Sequence, residues 1–266
     1  MHMSSELIIE VLPGRLRASM VSDSQKILAR GLFPLEDNQA QTIDQAIKKA
    51  QLGLQSKSSP LLVLPDANQD QGWEMLSAKK SQQISSALAR AHYETKYGSF
   101  SKPGTYVLFE VGPHIKMVKI EFDKKQPKYK EIDLGPMVAN YEKLSEPEPE
   151  VATLRNYCTE TFFVHRAKQN SKQLYAQTQN GNVEAGDELF VEFGTNLGAL
   201  VAFVDTLIEP DGIGLTGQAV ETFDAWGHAM GKSRNQFQAK KSKNHVVALK
   251  ENPDAIAIGG YLYCKA

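Results

Sequence analysis

Several features that would place a protein in a specialised class are scarce in this sequence. Two cysteines among 266 residues, Cys158 and Cys264, are too few for a disulfide framework, and their spacing matches no metal motif. A formal net charge of −1 gives no electrostatic basis for binding nucleic acid or an anionic membrane. No apolar run nears the roughly 18–20 residues that span a bilayer, and no signal peptide is predicted. We therefore expect a cytoplasmic protein that contacts neither nucleic acid nor membrane.

The composition that is present is ordinary for a globular protein, with 41% hydrophobic and 23% charged residues. The length suits one two-lobed protein or two modest domains, each able to bury its own core.

The most strongly patterned stretch spans residues 184–220. Its apolar residues recur at alternating steps of four and three, which predicts one buried face of a helix; they are Phe193, Leu197, Leu200, Val204 and Leu207. Gly198 keeps the middle of this helix thin, so that another element can lie close against it. A turn at residues 209–212, a short strand and the glycine turn Thr216-Gly217 follow. This order is typical of an α/β domain that binds a ligand at a strand end.

The remaining elements alternate between strand and helix patterns. Residues 6–31 predict three antiparallel strands joined by tight turns, and a plain meander explains them on physical grounds alone. Further strands are predicted at residues 60–64 and 105–120, and helices at 42–54, 84–97, 153–175 and 222–230. In residues 153–175 the candidates for a core face are Tyr157, Phe162, His165 and Leu174. In the last segment, residues 252–263, Gly259 and Gly260 would let a helix pack tightly against a sheet.

Residues 9–18, IEVLPGRLRA, resemble in register the opening motif I-D-x-G-G-T-K-x-x-x-A of the ROK sugar kinases. The order of helix, E-P, strand and glycine turn after residue 184 resembles the nucleotide-binding lobe of the same family. Three further registers follow in order: Asp66-Ala67-Asn68 against N-D-A-N, Gly112 to Lys116 against the second phosphate loop G-T-G-I-G, and Asp133 to Met137 against E-x-G-H-M. The terminal segment resembles A-x-x-I-G-A-A.

This resemblance implies an α/β, two-lobed actin-like ATPase or ribonuclease H-like fold. Each lobe would be a mixed sheet that opens with antiparallel strands and is flanked by helices. Residues 1–103 would form the small lobe and residues 104–266 the larger one. An unrelated α/β fold remains the alternative.

The resemblance also assigns roles to residues. It implies that Asp66 is the catalytic base and that Asp133 binds substrate, although Asp66 also stands in ordinary turn chemistry. The positions it implies for nucleotide binding are Glu10, Gly14, Gly112, Thr216 and Gly217. No metal site is expected, because Pro136 replaces a family histidine and the cysteine run that binds structural zinc is absent.

The phosphate loops depart from the family pattern. Leu12 and Pro13 replace two glycines whose N–H groups would approach phosphate, and proline has no N–H. Pro113 replaces a threonine, while His114 and Lys116 replace two later glycines. Two hypotheses follow. The first is a non-catalytic or strongly divergent ROK-type homologue, a pseudokinase that acts by binding or assembly and needs no cofactor. The alternative is an active ATP-dependent carbohydrate kinase that uses ATP and Mg²⁺, with Glu10 at the metal.

The resemblance further implies a homodimer formed through the larger lobe, and a small-molecule ligand held between the lobes. The apolar residues of 153–175 and 222–230 are candidates for the dimer face, and they are equally candidates for the core.

Overall fold

A computed structural model describes residues 5–12, 14–35, 40–56, 59–64, 82–123, 126–140, 152–181, 184–238, 244–249 and 251–266. The chain divides into two compact units: Met1–Ser101 with Asn252–Ala266, and Lys102–Glu251. Each unit contains a five-stranded mixed sheet flanked by helices, which confirms the predicted fold class.

The strands are β1 (Ser5–Leu12), β2 (Arg15–Ser22), β3 (Ile27–Pro34), β4 (Leu61–Leu64), β5 (Gln83–Ser85), β6 (Gly104–Val111), β7 (Ile115–Phe122), β8 (Pro127–Asp133), β9 (Gly212–Thr216) and β10 (His245–Ala248). The helices are α1 (Ala40–Gly53), α2 (Ser86–Lys96), α3 (Leu154–Tyr157), α4 (Glu160–Ala167), α5 (Ser171–Gln179), α6 (Glu184–Ile208), α7 (Phe223–Phe237) and α8 (Pro253–Cys264). A 3₁₀ turn, Gln218–Thr222, precedes α7.

The first unit's sheet has the order β3-β2-β1-β4-β5. The predicted meander is confirmed, because β1 pairs antiparallel with β2 and β2 with β3, while β4 runs parallel to β1. Alternation along β1 sends Leu7, Ile9 and Val11 into a core with α1, whereas Ile8 packs on the opposite face with α8. The helix predicted to start at residue 84 begins two residues later, since Ser85 ends β5 and caps α2 by accepting from the Leu88 N–H.

The second unit's sheet has the order β10-β9-β6-β7-β8, with β6, β9 and β10 parallel and β6, β7 and β8 antiparallel. Helix α6 covers one face of this sheet, and its predicted core residues Phe193, Leu197, Leu200 and Val204 are buried. Leu207 was assigned to that face incorrectly, because it is 66% exposed. Ile208 packs against the core in its place, as a step of four from Val204 requires.

Small residues set the spacing between α6 and α7. A Cβ added at Gly198 would lie inside contact distance of the Met230 carbonyl oxygen, and one added at Gly194 would meet the Trp226 carbonyl oxygen. The close approach predicted from Gly198 is therefore confirmed, and α7 is the element that makes it.

The last helix belongs to the first unit, whereas the sequence-based boundary placed residues 252–266 in the second lobe. A Cβ on Gly260 would lie about 3 Å from side chains of Ile8 and Leu61 in the first sheet, and one on Gly259 would meet the Ala89 carbonyl of α2. The two glycines do pack this helix tightly, as predicted, but the sheet and helix that it contacts are those of residues 1–101.

Two further expectations need correction. The predicted helix at 153–175 is three helices, in which Phe162 and Leu174 are buried and Tyr157 packs against the core, whereas His165 is exposed at the end of α4.

Part of α6, Gly186–Ile208, is long and apolar enough to cross a membrane by length and composition, contrary to the expectation that no such run exists. Half of that stretch is buried inside the protein, as in the core helix of a globular domain.

Candidate functional site

The first hairpin joins β1, which ends at Leu12, to β2, which begins at Arg15, with Gly14 directly before β2; Pro13 lies outside the described residues. Gly14 has φ +69°, a left-handed conformation that glycine adopts without a Cβ penalty. Its carbonyl accepts a hydrogen bond of 2.9 Å from the Leu35 N–H. In the family motif a threonine stands here, and a β-branched residue would be strained at this φ.

Glu10 lies on the central strand β1, opposite Arg17 on β2. The Arg17 Nη1 donates to Glu10 Oε2 at 3.0 Å, and the two side chains are only 12% and 13% exposed respectively. The carboxylate that the resemblance assigns to a metal-bound nucleotide is therefore already paired with a cation. A divalent metal ion beside Glu10 would face the guanidinium charge, so this hairpin does not fit Mg²⁺.

The second hairpin, between β6 and β7, turns through Gly112, Pro113 and His114. The Gly112 N–H donates to the His114 carbonyl at 3.0 Å, and the Gly112 carbonyl accepts from the Glu160 N–H at 2.8 Å. Pro113 has no N–H. Neither of the first two loop positions therefore offers an N–H to a phosphate, and this loop does not fit the anion that the family motif binds.

A group of charged residues stands directly behind this loop. Lys116 on β7 lies opposite Glu110 on β6 and Asp133 on β8, and its Nζ is 3.8 Å from Glu131 Oε1. Lys116 is only 5% exposed. The neighbouring carboxylates balance the positive charge of this buried lysine. A phosphate or other anion would have to compete with them to bind Lys116.

The imidazole of His114 is neutral at pH 7. Burial lowers its pKa from the usual value, and the positive charges of Arg155 and Lys116 lower it further, against an opposing effect of Asp133. His114 therefore brings no positive charge to the loop at neutral pH.

The glycine turn after β9 meets the end of β6. Thr216 pairs with Glu110 in the parallel ladder, and Gly217 has φ +100° with its Cβ position 2.6 Å from the Val111 carbonyl oxygen. Only glycine fits there, because both the backbone angle and the close contact exclude a side chain. Three of the predicted residues, Gly112, Thr216 and Gly217, thus come together at one strand end of the second unit.

The other predicted residues lie elsewhere. Glu10 and Gly14 belong to the first unit, and Asp66 lies outside the described residues. Asp133 is exposed at the end of β8, where its Oδ1 accepts from the Gly135 N–H at 2.9 Å and so closes the turn that follows. Burial raises the pKa of the Cys158 thiol to about 12, which makes it a poor metal ligand at neutral pH.

Sequence reasoning missed Arg17. The signal was present, because a two-residue turn at 13–14 places residues opposite each other when their numbers sum to 27, and Glu10 and Arg17 do so. The pairing of the Gly112 N–H with the His114 carbonyl had no such signal, since it depends on the loop's backbone angles.

The two sheets with equivalent strand order, each opening with an antiparallel hairpin and flanked by helices, define the two-lobed α/β fold of the actin-like ATPase and sugar-kinase superfamily. Within that class the chain has the ROK sugar-kinase fold. A ROK hexokinase from Thermus thermophilus is 12% identical, with a TM-score of 0.72 over 98% of this chain and 99% of that one. A ROK glucokinase from Streptomyces griseus, solved with glucose and AMPPNP, is 13% identical, with a TM-score of 0.71 over 97% and 98%.

A ROK family transcriptional regulator, a homologue of the E. coli MLC protein, shares the fold as well. It is 13% identical, with a TM-score of 0.71 over 98% of this chain and 78% of that one. No protein-family model and no curated protein sequence matches the chain. The likeness at these identities concerns the fold, which proteins of different function share.

Proposed function

We propose that this protein is a non-catalytic, strongly divergent homologue of the ROK sugar kinases, a cytoplasmic pseudokinase that acts by binding or assembly. The observation that carries the proposal is the second hairpin, where the Gly112 N–H is bound by the His114 carbonyl and Pro113 has none to give. Phosphoryl transfer depends almost entirely on positioning phosphates and metal, so a chain without these donors lacks the main means of catalysis.

The first hairpin supports the same proposal. Glu10 would hold Mg²⁺ in an active kinase, and here its carboxylate is paired with Arg17. A hydrogen bond to a charged group contributes about 1.5–3 kcal/mol. Loss of two such contacts to phosphate corresponds to a loss of about 10²-fold or more in nucleotide affinity.

The turn at Thr216 and Gly217 keeps the family's form, and we propose that it retains weak affinity for a nucleoside. The nucleoside would bind without help from its phosphates. Adenosine and Mg-ATP should then bind with similar, weak affinity, whereas an active kinase would favour Mg-ATP strongly.

Calorimetric titration of the purified protein with Mg-ATP, and separately with adenosine, tests the proposal. We expect no heat of phosphate-dependent binding in the micromolar range. Low-micromolar binding of Mg-ATP, or ADP release with any hexose, would reject the pseudokinase and establish the alternative, an ATP-dependent carbohydrate kinase. Pro113→Gly, at an exposed position, restores one N–H and should shift the affinity toward Mg-ATP over adenosine.

The assembly part of the proposal is a homodimer through the second unit. The apolar residues first considered for its face are mostly core: Phe162, Phe163, Trp226 and Met230 are buried. Among the exposed apolar side chains of the second unit, three lie on the outside of α6, at Val191, Phe203 and Leu207. A single step of four separates Phe203 from Leu207, so these two share a helix face.

Light scattering on the eluting protein measures the oligomer. We expect a dimer for the wild type and a monomer for Phe203→Lys. Leu52→Lys is the matched control, because Leu52 on α1 is 79% exposed and lies in the other unit. A monomeric wild type at micromolar concentration would reject the dimer.

A further inference from the structure

The pairing of Glu10 with Arg17 points to more than a lost metal site. We propose that the Arg17 guanidinium is a built-in replacement for a bound cation, which holds the end of β1 in place without any ligand. This inference deepens the proposed function and rests on it, since it explains how the first hairpin stays ordered when no nucleotide or metal binds there.

The position of Glu10 makes an internal cation necessary. Strand β1 is central in its sheet, with β2 on one side and β4 on the other, and Glu10 lies opposite Arg17 and Val63. A carboxylate that is 13% exposed on a central strand loses most of its hydration, and it requires a partner of opposite charge. In a metal-dependent protein a bound ion supplies that charge, whereas here the neighbouring strand supplies it.

The geometry suits a permanent partner. Arg17 reaches Glu10 Oε2 at 3.0 Å from a strand whose register with β1 runs unbroken from Leu12 and Arg15 to Ser5 and Ser22. Two residues further along the same face of β2, Ser19 accepts from Arg30 Nε at 3.1 Å, and Arg30 in turn binds Asp254 on α8 at 2.6 Å. Polar side chains on this face are thus satisfied from within the unit.

A thermal unfolding cycle with Glu10→Gln, Arg17→Met and the double variant tests the inference. Each single variant should unfold roughly 5–10 °C below the wild type, because it removes one member of an ion pair whose side chains are weakly hydrated. The double variant should lose clearly less than the sum of the two. Arg15→Met is the matched control: it removes the same charge from an exposed position of the same hairpin and should shift the midpoint by less than about 2 °C.

A metal titration separates replacement of a cation from ordinary stabilisation. Mn²⁺ at millimolar concentration should raise the midpoint of Arg17→Met, and it should leave the wild type, the double variant and Arg15→Met unchanged. Additive losses in the cycle would overturn the inference, as would Mn²⁺ that fails to rescue Arg17→Met or that stabilises the wild type equally. If Arg17→Met fails to fold, Arg17→Lys keeps the charge and should retain most of the stability, and an unfolded Arg17→Lys would also overturn it.

The two proposals fail separately. Tight binding of Mg-ATP by the wild type would reject the pseudokinase whatever the cycle shows. If the wild type does not bind Mg-ATP and the losses in the cycle are additive, the role proposed for Arg17 is rejected and the pseudokinase proposal stands.

Discussion

The two units share one strand order, but they close their first hairpins by different means. In the first unit a two-residue turn is followed by the ion pair of Glu10 and Arg17. In the second unit a three-residue loop is closed by the hydrogen bond from Gly112 to His114, with Lys116 held behind it. In both cases, groups that could contact a phosphate or a metal are engaged by the chain itself. The difference teaches that the fold tolerates either closure, so the fold alone does not define a ligand site.

The units resemble each other more closely in how their helices pack. In each one, a glycine places one helix directly against a carbonyl of another: Gly198 of α6 against α7 in the second unit, and Gly259 of α8 against α2 in the first. The units therefore share the glycine contact between helices, and they differ in how their first hairpins are closed.

The largest effect should come from filling these helix contacts. Gly198→Val and Gly259→Val would each drive a side chain into a backbone carbonyl, and we expect a loss of more than about 4 kcal/mol in unfolding free energy. Hydrogen exchange should locate the damage in the second unit for Gly198→Val and in the first for Gly259→Val. Gly231→Ala on α7 is the control: its Cβ would meet nothing within 4 Å, so it should be neutral or gain up to about 1 kcal/mol. Valine variants as stable as the wild type would contradict the packing argument.

Buried ion pairs should give the next largest effect. In the part of the chain that the structure describes, the first unit pairs Arg90 with Glu94 and the second pairs Arg234 with Asp205, and all four side chains are largely buried. Arg234→Met should cost about 3–5 kcal/mol, because it removes a guanidinium that pairs with the buried carboxylate of Asp205. The matched control is Arg166→Met, which removes an exposed partner of Glu192 on the same helix α6 and should cost less than about 1 kcal/mol. Equal losses in urea unfolding would show that burial does not decide the strength of these pairs.

Protonation of His92 should make the stability of the first unit depend on pH in a way that the second unit does not share. Burial lowers the pKa of His92 to about 4, and in the unfolded chain it is 6.5. Between these values the unfolded state binds more protons at His92, so the contribution of His92 to stability falls as the pH drops from 6.5 toward about 4 and is constant below that. At about 1.4 kcal/mol per pKa unit, this shift corresponds to a loss of about 3–4 kcal/mol.

Urea unfolding over this pH range checks the effect. His92→Gln should flatten the pH dependence of the first unit, where His92 packs edge-on against Tyr263 of α8. His114→Gln should leave that dependence unchanged, because His114 lies in the second unit. A wild-type slope that survives in His92→Gln would assign the protons to another group.

Much of the fold could be predicted from the sequence, because alternation and 3.6-residue periodicity report burial directly. The strands of the first meander and the buried face of α6 followed in this way. Leu207 and His165 were wrongly assigned to a buried helix face. Both lie near the end of a helix, where the core no longer covers every residue that the periodicity places on that face. The unit to which α8 belongs was not predictable. The periodicity of its apolar residues indicates that one face is buried, but it does not identify the sheet that covers this face.

The site was less predictable than the fold. The positions of Gly112, Thr216 and Gly217 were implied by the family resemblance, and the structure brings them together because the parallel strands β6 and β9 end at one edge of the sheet. The hydrogen bond that closes the Gly112 loop did not, because it depends on backbone angles that glycine leaves open.

The smallest effect concerns the exposed edges of the two sheets, where the units again differ. The edge strand β3 of the first unit exposes Leu28 and Leu32, whereas the edge strand β8 of the second exposes Lys128 and Lys130. Lysines on an edge strand oppose pairing with another chain, and exposed leucines do not. Leu28→Lys should therefore reduce light scattering on slow heating while changing the unfolding free energy by no more than about 0.5 kcal/mol. Lys130→Leu should increase scattering by removing protection from the other edge. If both variants scatter like the wild type, the edges do not govern association, and the difference between the two sheets has no consequence for solubility.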